Sequence, residues 1–249
     1  MALRISKRFK NRLKFYRHYW QFKKQKAVSS HEFTLANFHP CMNDWNAPSG
    51  NASGHYFHQD LLVAQMIYSA NPLIHVDVGS RIDSFVAHVA SFRKIEIFDV
   101  RPLQQSPHQN IIFVQADFMG DCSTLKNYCD SLSCLHALEH FGLGRYGDDV
   151  DYEGHLKGLK NLADMIKLGG KFYLSVPIGP QRVEFNAHRI FELRYLNELL
   201  KTWFRVDSLS YVDDKGDIHQ NVPTSGTSFD NNFSCAYGCG IFELTKVAD

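Results

Sequence analysis

The sequence predicts an α/β protein: seven strands, mostly parallel with an antiparallel edge strand, and helices on both faces of the sheet. Three observations predict it. Short apolar runs of strand length alternate with helix-length amphipathic stretches from residue 56 onward, the pattern of strands joined by helical crossovers. Acidic or glycine residues follow several of those runs, where a parallel sheet turns back. The last two apolar runs have a polar loop and no helix between them, which suits antiparallel pairing at a sheet edge.

"YFHQDLLVAQMIYSA" reads as a helix with Phe57, Leu61, Ala64 or Met66, and Ile67 inward, ended by Asn71-Pro72. "LIHVDVGS" is a buried strand stopping at Gly79, and "DSFVAHVASF" is a helix. "KIEIFDV" and "NIIFVQADF" are strands ending near Asp99 and Asp117, and "SLSCLHAL" is the fourth strand. "HLKGLKNLADMIKLGG" puts Leu156, Leu159, Leu162 or Ala163, and Ile166 on one helical face and stops at Gly169-Gly170. "KFYLSVPIG" is the fifth strand, "IFELRYLNELLKTW" a helix, and "FRVDSLSYV" and "GIFELTK" the final strands. Residues 71–249 form the core of a single domain spanning 27–249, with 27–70 as its connector and first helix.

The chain has 249 residues and a net charge of +1, enough for one full core. No apolar run approaches the ~18 residues of a membrane span, and no signal peptide is expected, because no apolar stretch follows the basic start. Six cysteines are scattered, with Cys235 and Cys239 as the one short pair. That is a poor disulfide or zinc framework, so reduced thiols and no bound metal are expected. Residues 1–26 hold ten basic residues and no acid. Ile5, Phe9, Leu13, Tyr16 and Trp20 recur there at helical spacing. A basic amphipathic helix of this kind suits an anionic membrane surface; it equally suits packing on the domain or on a partner. Nothing basic or stacking continues past residue 26 to suggest nucleic acid.

Ligands of open parallel sheets sit beyond the carboxyl ends of the strands. Gly79 permits a tight turn there beside Asp77 and Ser80. Asp99, with Val100, stands where an acid can accept both ribose hydroxyls, and Asp117, with Phe118, can receive an adenine amino group. A dinucleotide fingerprint would need G-x-G-x-x-G, and Gly79 alone matches it, so a nicotinamide-dependent oxidoreductase is the weaker reading. "LHALEH" spells the H-x-x-E-H of an inverted zinc protease. That motif needs a helix, whereas His136 directly follows a strand and Gly142 and Gly144 break any helix soon after. His140 or Glu139 can instead deprotonate an acceptor. Alternatively Glu139 pairs locally and His136 packs against adenine. Arg145, Tyr146, Asp148, Asn186, His188 and Arg189 lie in loops on the same rim. There they can hold a hydroxylated or anionic acceptor, or simply bond their own loops.

D-x-G, an acid after strand two, "ADF", "LEHF" and "LGGKFYLSVP" resemble the Rossmann-like class I S-adenosylmethionine-dependent methyltransferases. "YFHQDLLVAQMI", "HVDVGSRIDSFVAHVASF", "IFDVRPL", "LHALEHFGLGRYGD" and "FNAHRIF" resemble the DUF268 family within that group, over Tyr56 to Phe191. The resemblance implies S-adenosyl-L-methionine as cofactor. It also implies an O-methyltransferase acting on a glycan or glycan precursor of surface-polysaccharide biosynthesis; the basic amphipathic helix of residues 1–26 would hold it, on the cytoplasmic side, at the inner membrane face. A non-catalytic scaffold of the same fold is the alternative. Arg81 and Asp83 stand where further glycines are usual; Arg81 can meet the methionine carboxylate of the cofactor, or salt-bridge Asp77 or Asp83.

Overall fold

The computed structural model describes residues 7–30, 33–103 and 106–248. The chain divides into two compact units, residues 1–51 and 52–249. In the first, helix α1 (Lys7–Ala27) carries no fully buried residue. Its Phe15 and Tyr19 rings pack on Phe38, at centroid distances of 5.8 and 4.7 Å. Arg4 and Ile5 of the expected basic face lie outside the described residues.

The second unit opens with α2 (His55–Ala70) and continues with β1 (His75–Val78), a π-turn into α3 (Ala87–Ala90), β2 (Ile95–Asp99), β3 (Ile111–Gln115) and β4 (Cys129–Leu135). Then follow α4 (Gly154–Met165), β5 (Ile166–Ile178), a small ribbon of β6 (Arg182–Glu184) and β7 (His188–Ile190), and α5 (Leu193–Leu200). The chain finishes with β8 (Phe204–Val212), β9 (Ile218–His219), α6 (Thr227–Asp230) and β10 (Gly238–Lys246). The main sheet runs β3-β2-β1-β4-β5-β10-β8-β9. β1 to β5 pair in parallel, and β10 is antiparallel to both β5 and β8.

Seven of these eight strands are the predicted ones; the two-residue β9 extends the sheet. The long antiparallel strand, β10, lies inside the sheet, and the edge itself is the short β9, antiparallel to β8. β10 slots between β5 and β8, which keeps both of its backbone edges hydrogen-bonded and leaves the rim to β8 and its short partner.

Each face of the sheet covers its own core. Leu132, Cys134, Phe172, Leu174 and Val176 meet Leu159, Leu162 and Ala163 of α4 and Leu193, Leu196 and Leu200 of α5. On the other face Ile95, Ile97, Tyr173 and Ile241 meet Val63, Ala64 and Ile67 of α2 and Phe85, Val86 and Val89. Each buried Val, Leu, Ile or Phe among them contributes about 1.5–3 kcal/mol of transfer free energy.

The inward face of α2 differs from expectation. Phe57 and Leu61 are exposed, whereas Gln59 and Asp60 are buried. The reason is the polarity of the sheet beneath. Ser175 Oγ donates to Gln59 Oε1 at 2.6 Å, Gln59 Nε2 donates to Asp60 Oδ1 at 3.0 Å, and Ser84 Oγ donates to Asp60. Buried polar groups with partners are tolerated, so the helix turns its polar side inward.

Candidate active site

The carboxyl ends of β1, β2, β3 and β4 converge on a cavity of about 530 Å³, which Ala187 and His188 at the start of β7 close on the far side. Gly79 turns the chain out of β1 at φ +77°, and a Cβ there would stand 2.8 Å from Ala137 Cβ. Both the left-handed backbone and the close approach require glycine. Val78, Phe98, Ala116, Phe118 and Met119 give the wall an apolar lining, and Asp99, Val100 and Asp117 edge it.

Asp99 is already engaged. Its Oδ1 accepts from the backbone N–H and Nε of Arg101 at 2.8 and 2.9 Å, and its Oδ2 from Nη2 at 2.5 Å. The Arg101 guanidinium lies 4.5 Å from the Tyr146 ring centroid, so this pair crosses the mouth from β2 to the loop after β4. Asp117 is exposed and caps its own turn through Met119 N–H at 2.8 Å.

The far wall is built after β4. His136 leaves the strand at φ +50°, a left-handed conformation that histidine adopts more readily than most residues. Its Nδ1 donates to Glu139 Oε1 at 2.8 Å, and both side chains are almost fully buried. Burial works against the Glu139 charge, yet the His136 imidazole outweighs burial and holds the carboxyl below its ordinary range. His140 Nδ1 donates to Ala187 O at 2.7 Å. That bond places the proton on Nδ1 and leaves a lone pair on Nε2. Burial lowers the His140 pKa, so the ring is a neutral acceptor near pH 7. His188, 6.4 Å away between ring centroids, lies across from it, with Nε2 3.3 Å from Glu184 Oε2 but poorly aligned for a hydrogen bond.

Gly79, Arg81, Asp99, Val100, Asp117, Phe118, His136, Glu139, His140, Arg145, Tyr146, Asp148 and His188 therefore meet around one cavity. Arg81 reaches it while exposed and paired with Asp83 at 2.9 Å, the local pairing allowed for above.

Four expected residues do not face the cavity, and one that does is committed elsewhere. Asp77 is fully buried and accepts from Ser133 Oγ at 2.6 Å, Ser80 Oγ at 2.7 Å and Ser80 N–H at 3.1 Å. Asp77 and Ser80 thus brace the turn out of β1. Arg189 is buried and donates to the carbonyls of Phe141 at 2.5 Å and Tyr152 at 3.1 Å, with longer contacts to those of Glu139 and Asp151. It pins the loop after β4 to β7. Asn186 is exposed outside the lining. Asp148 lines the wall, but its carboxylate caps the N–H groups of Gly142, Gly144 and Tyr146.

Tyr56, Arg101 and Tyr237 line the cavity without having been singled out from sequence. Arg101 sits inside "IFDVRPL", two residues past the strand-ending acid, and that position was its signal. Tyr56 arrives from α2 and Tyr237 from the residue before the antiparallel β10, and neither carried one.

The sheet order, with its antiparallel strand between the fifth strand and the one before it in sequence, is that of the class I methyltransferase fold. Solved structures agree. The [4+2]-cyclase SpnF matches with a TM-score of 0.53 at 14% identity, covering 76% of this chain and 82% of that one. The 1,6-didemethyltoxoflavin-N1-methyltransferase of Burkholderia thailandensis, crystallised with 1,6-didemethyltoxoflavin and S-adenosylhomocysteine, matches with a TM-score of 0.51 at 15% identity, covering 93% and 90%. A search of curated protein sequences finds no match. The family model described as "Caenorhabditis protein of unknown function, DUF268" matches residues 87–228. The chain belongs to the DUF268 family.

Proposed function

We propose that this chain is an S-adenosylmethionine-dependent O-methyltransferase whose acceptor is a sugar or glycan precursor. The observation that carries the reading is one cavity at the strand ends, with the glycine cradle and acids on one side and a neutral, Nδ1-protonated His140 on the other. The residues present fit the cofactor: Gly79 turns the backbone tightly beside the cavity, Phe98, Phe118 and Met119 suit a nucleobase, and Asp99 and Asp117 suit hydroxyl and amino donors. When bound, S-adenosylmethionine supplies a methyl group activated by its sulfonium. The Burkholderia thailandensis neighbour, crystallised with S-adenosylhomocysteine, supports the same assignment here. Fold likeness alone does not select the chemistry; one of the similar structures is a cyclase.

In this reading the chain's own residues do three things. Asp99 and Asp117 hold the nucleoside. Arg145 and Tyr146, with Arg101 behind the ring, hold a polyhydroxylated acceptor against the wall. His140 accepts the acceptor's proton on Nε2, with His188 the alternative base. Alignment of the reacting atoms supplies most of the acceleration. A cytoplasmic position at an anionic membrane face, where lipid-linked glycans are assembled, is supported by α1, whose Phe9, Leu13, Tyr16 and Trp20 are exposed among basic residues. No helix among the described residues is long and apolar enough to cross a membrane.

Calorimetry of the purified chain with S-adenosylmethionine and with NAD tests the reading. One equivalent of S-adenosylmethionine binds and NAD gives no heat. Binding of NAD instead would replace methyl transfer by hydride transfer, and binding of neither would leave a scaffold.

A further inference from the structure

Beneath the cavity wall three side chains from distant segments converge. His55 opens α2, His136 ends the turn out of β4, and Cys239 is the second residue of β10. Their donor atoms lie within 4.8 Å of one another. His136 and Cys239 are buried, and His55 is half-buried. The His55 and His136 rings stack with centroids 5.3 Å apart and planes 6° from parallel, so the cluster is an ordered packing of rings.

His136 shows which way the cluster is set to act. Its Nδ1 is committed to Glu139, and its Nε2 is buried with no hydrogen-bond partner. A buried polar atom left unpaired costs roughly 1–3 kcal/mol. The carboxylate–imidazole pair resembles the support commonly given to a metal-bound histidine, in which the second ring nitrogen is fixed by an acid and the first keeps its lone pair for the ion. Glu139 Oε2 is likewise buried without a partner, which leaves the acid able to strengthen that role.

We infer that His55, His136 and Cys239 form a binding site for a thiophilic divalent cation of the zinc type. Two imidazoles and a thiolate are a borderline-soft donor set, which disfavours magnesium and calcium. A tetrahedral zinc ion with bonds of about 2.0–2.3 Å sets its donors roughly 3.3–3.6 Å apart, so donors that lie within 4.8 Å of one another need to close by no more than about 1.5 Å on binding. Three protein donors leave one position for water or for an atom entering from the cavity that His136 borders. The C-x3-C pair takes no part as a pair: Cys239 is the ligand and Cys235 is not in the cluster.

The site borders the methyl-transfer cavity through His136 but is tested without that reaction. The full-length chain, free of a histidine tag and stripped with chelator, is titrated with zinc alone by calorimetry and with cobalt alone by absorption. One zinc binds per chain with submicromolar affinity, and cobalt gives a thiolate-to-metal charge-transfer band. His55→Ala, at a half-buried helix start, keeps the circular dichroism spectrum of the parent and binds zinc at least tenfold more weakly. Cys239→Ser loses the cobalt band, and Cys235→Ser keeps it. Absence of zinc binding by the parent chain would overturn the inference, as would parental zinc affinity in folded His55→Ala or a cobalt band that survives in Cys239→Ser.

Discussion

Asp99 carries three hydrogen bonds from Arg101 before any ligand arrives. A carboxylate has about four acceptor sites, so a ribose finds one of them open, or more if the Arg101 side chain turns away. Asp99→Ala should therefore weaken S-adenosylhomocysteine binding by about 1.5–3 kcal/mol, tenfold to a hundredfold, the worth of a hydrogen bond to a charged group. Calorimetry measures it, and unchanged affinity in a folded variant would remove Asp99 from the site. Substitution separates His140 from His188 as the base. Because burial depresses the His140 pKa, a rate that depends on neutral His140 rises with pH below the usual histidine range and is flat near neutrality. Single-turnover transfer by His140→Ala should fall by two to four powers of ten, about 3–5 kcal/mol of barrier, and lose that rise. His188→Ala should keep it. Retention of full rates by both variants would refute the base assignment.

At the scale of elements, β1 and β4 share a buried polar rail. His75 Nδ1 lies 2.8 Å from Ser131 Oγ, His75 Nε2 lies 3.3 Å from Ser133 Oγ, and Ser133 Oγ donates to Asp77. Burial raises the Asp77 pKa to about 7 and lowers that of His75 to about 3. The two act on stability with opposite sign. Asp77 holds its proton in the folded state at a pH where the unfolded chain has lost it. Its contribution is full below about pH 4 and is lost as pH rises through 7. His75 stays neutral where the unfolded chain is protonated, so its contribution is full above about pH 6.5 and is lost as pH falls towards 3. Between pH 4 and 6.5 they offset each other. Asp77→Asn removes one slope, so its stability should gain on the parent as pH rises from 4 to 7, by on the order of 4 kcal/mol at most. A difference that stays flat in urea titrations across that range would contradict this account. Arg189→Ala should cost roughly 2–4 kcal/mol in the same assay, since it strands several carbonyls of the loop after β4. These elements also mark the limit of sequence reading. The strand ends, and with them Gly79, Asp99 and Asp117, were legible because apolar runs stop at or near them, and His140 from the Leu-Glu-His context after the fourth strand. The roles of Asp77, Ser80 and Arg189 were not. Every residue of β1 is buried, so alternation cannot say which side a carboxylate takes. The partners of Arg189 are carbonyls some 40 to 50 positions earlier. The phase of α2 and the cluster at Cys239 likewise depend on neighbours set by the fold.

For the whole molecule, charge and apolar surface are distributed unevenly. The ten basic residues of 1–26 face no acid within that stretch. In α1, Phe15 and Tyr19 are used against Phe38, and Lys14 lies 4.4 Å from the Trp45 ring centroid. Phe9, Leu13, Tyr16 and Trp20 stay 53%, 56%, 44% and 55% exposed. Spacings of four, three and four place them along one side of the helix; Tyr16 also meets Phe38 edge-on at 6.5 Å and Trp20 meets Tyr19 at 5.5 Å. A helix with this division can lay its outer aromatics at the headgroup level while its lysines and arginines meet anionic lipid, each worth about 1 kcal/mol near the surface. The electrostatic share decays with ionic strength over a Debye length of about 10 Å at 0.1 M salt. The full chain should therefore sediment with phosphatidylserine vesicles at low salt, less so at high salt, and not with neutral vesicles. A chain lacking residues 1–26 should stay in the supernatant with unchanged affinity for S-adenosylhomocysteine, because every residue placed around the cavity lies beyond residue 51. If the full chain ignores anionic vesicles at low salt, where attraction is strongest, the exposed face of α1 serves a protein contact and the membrane assignment is wrong.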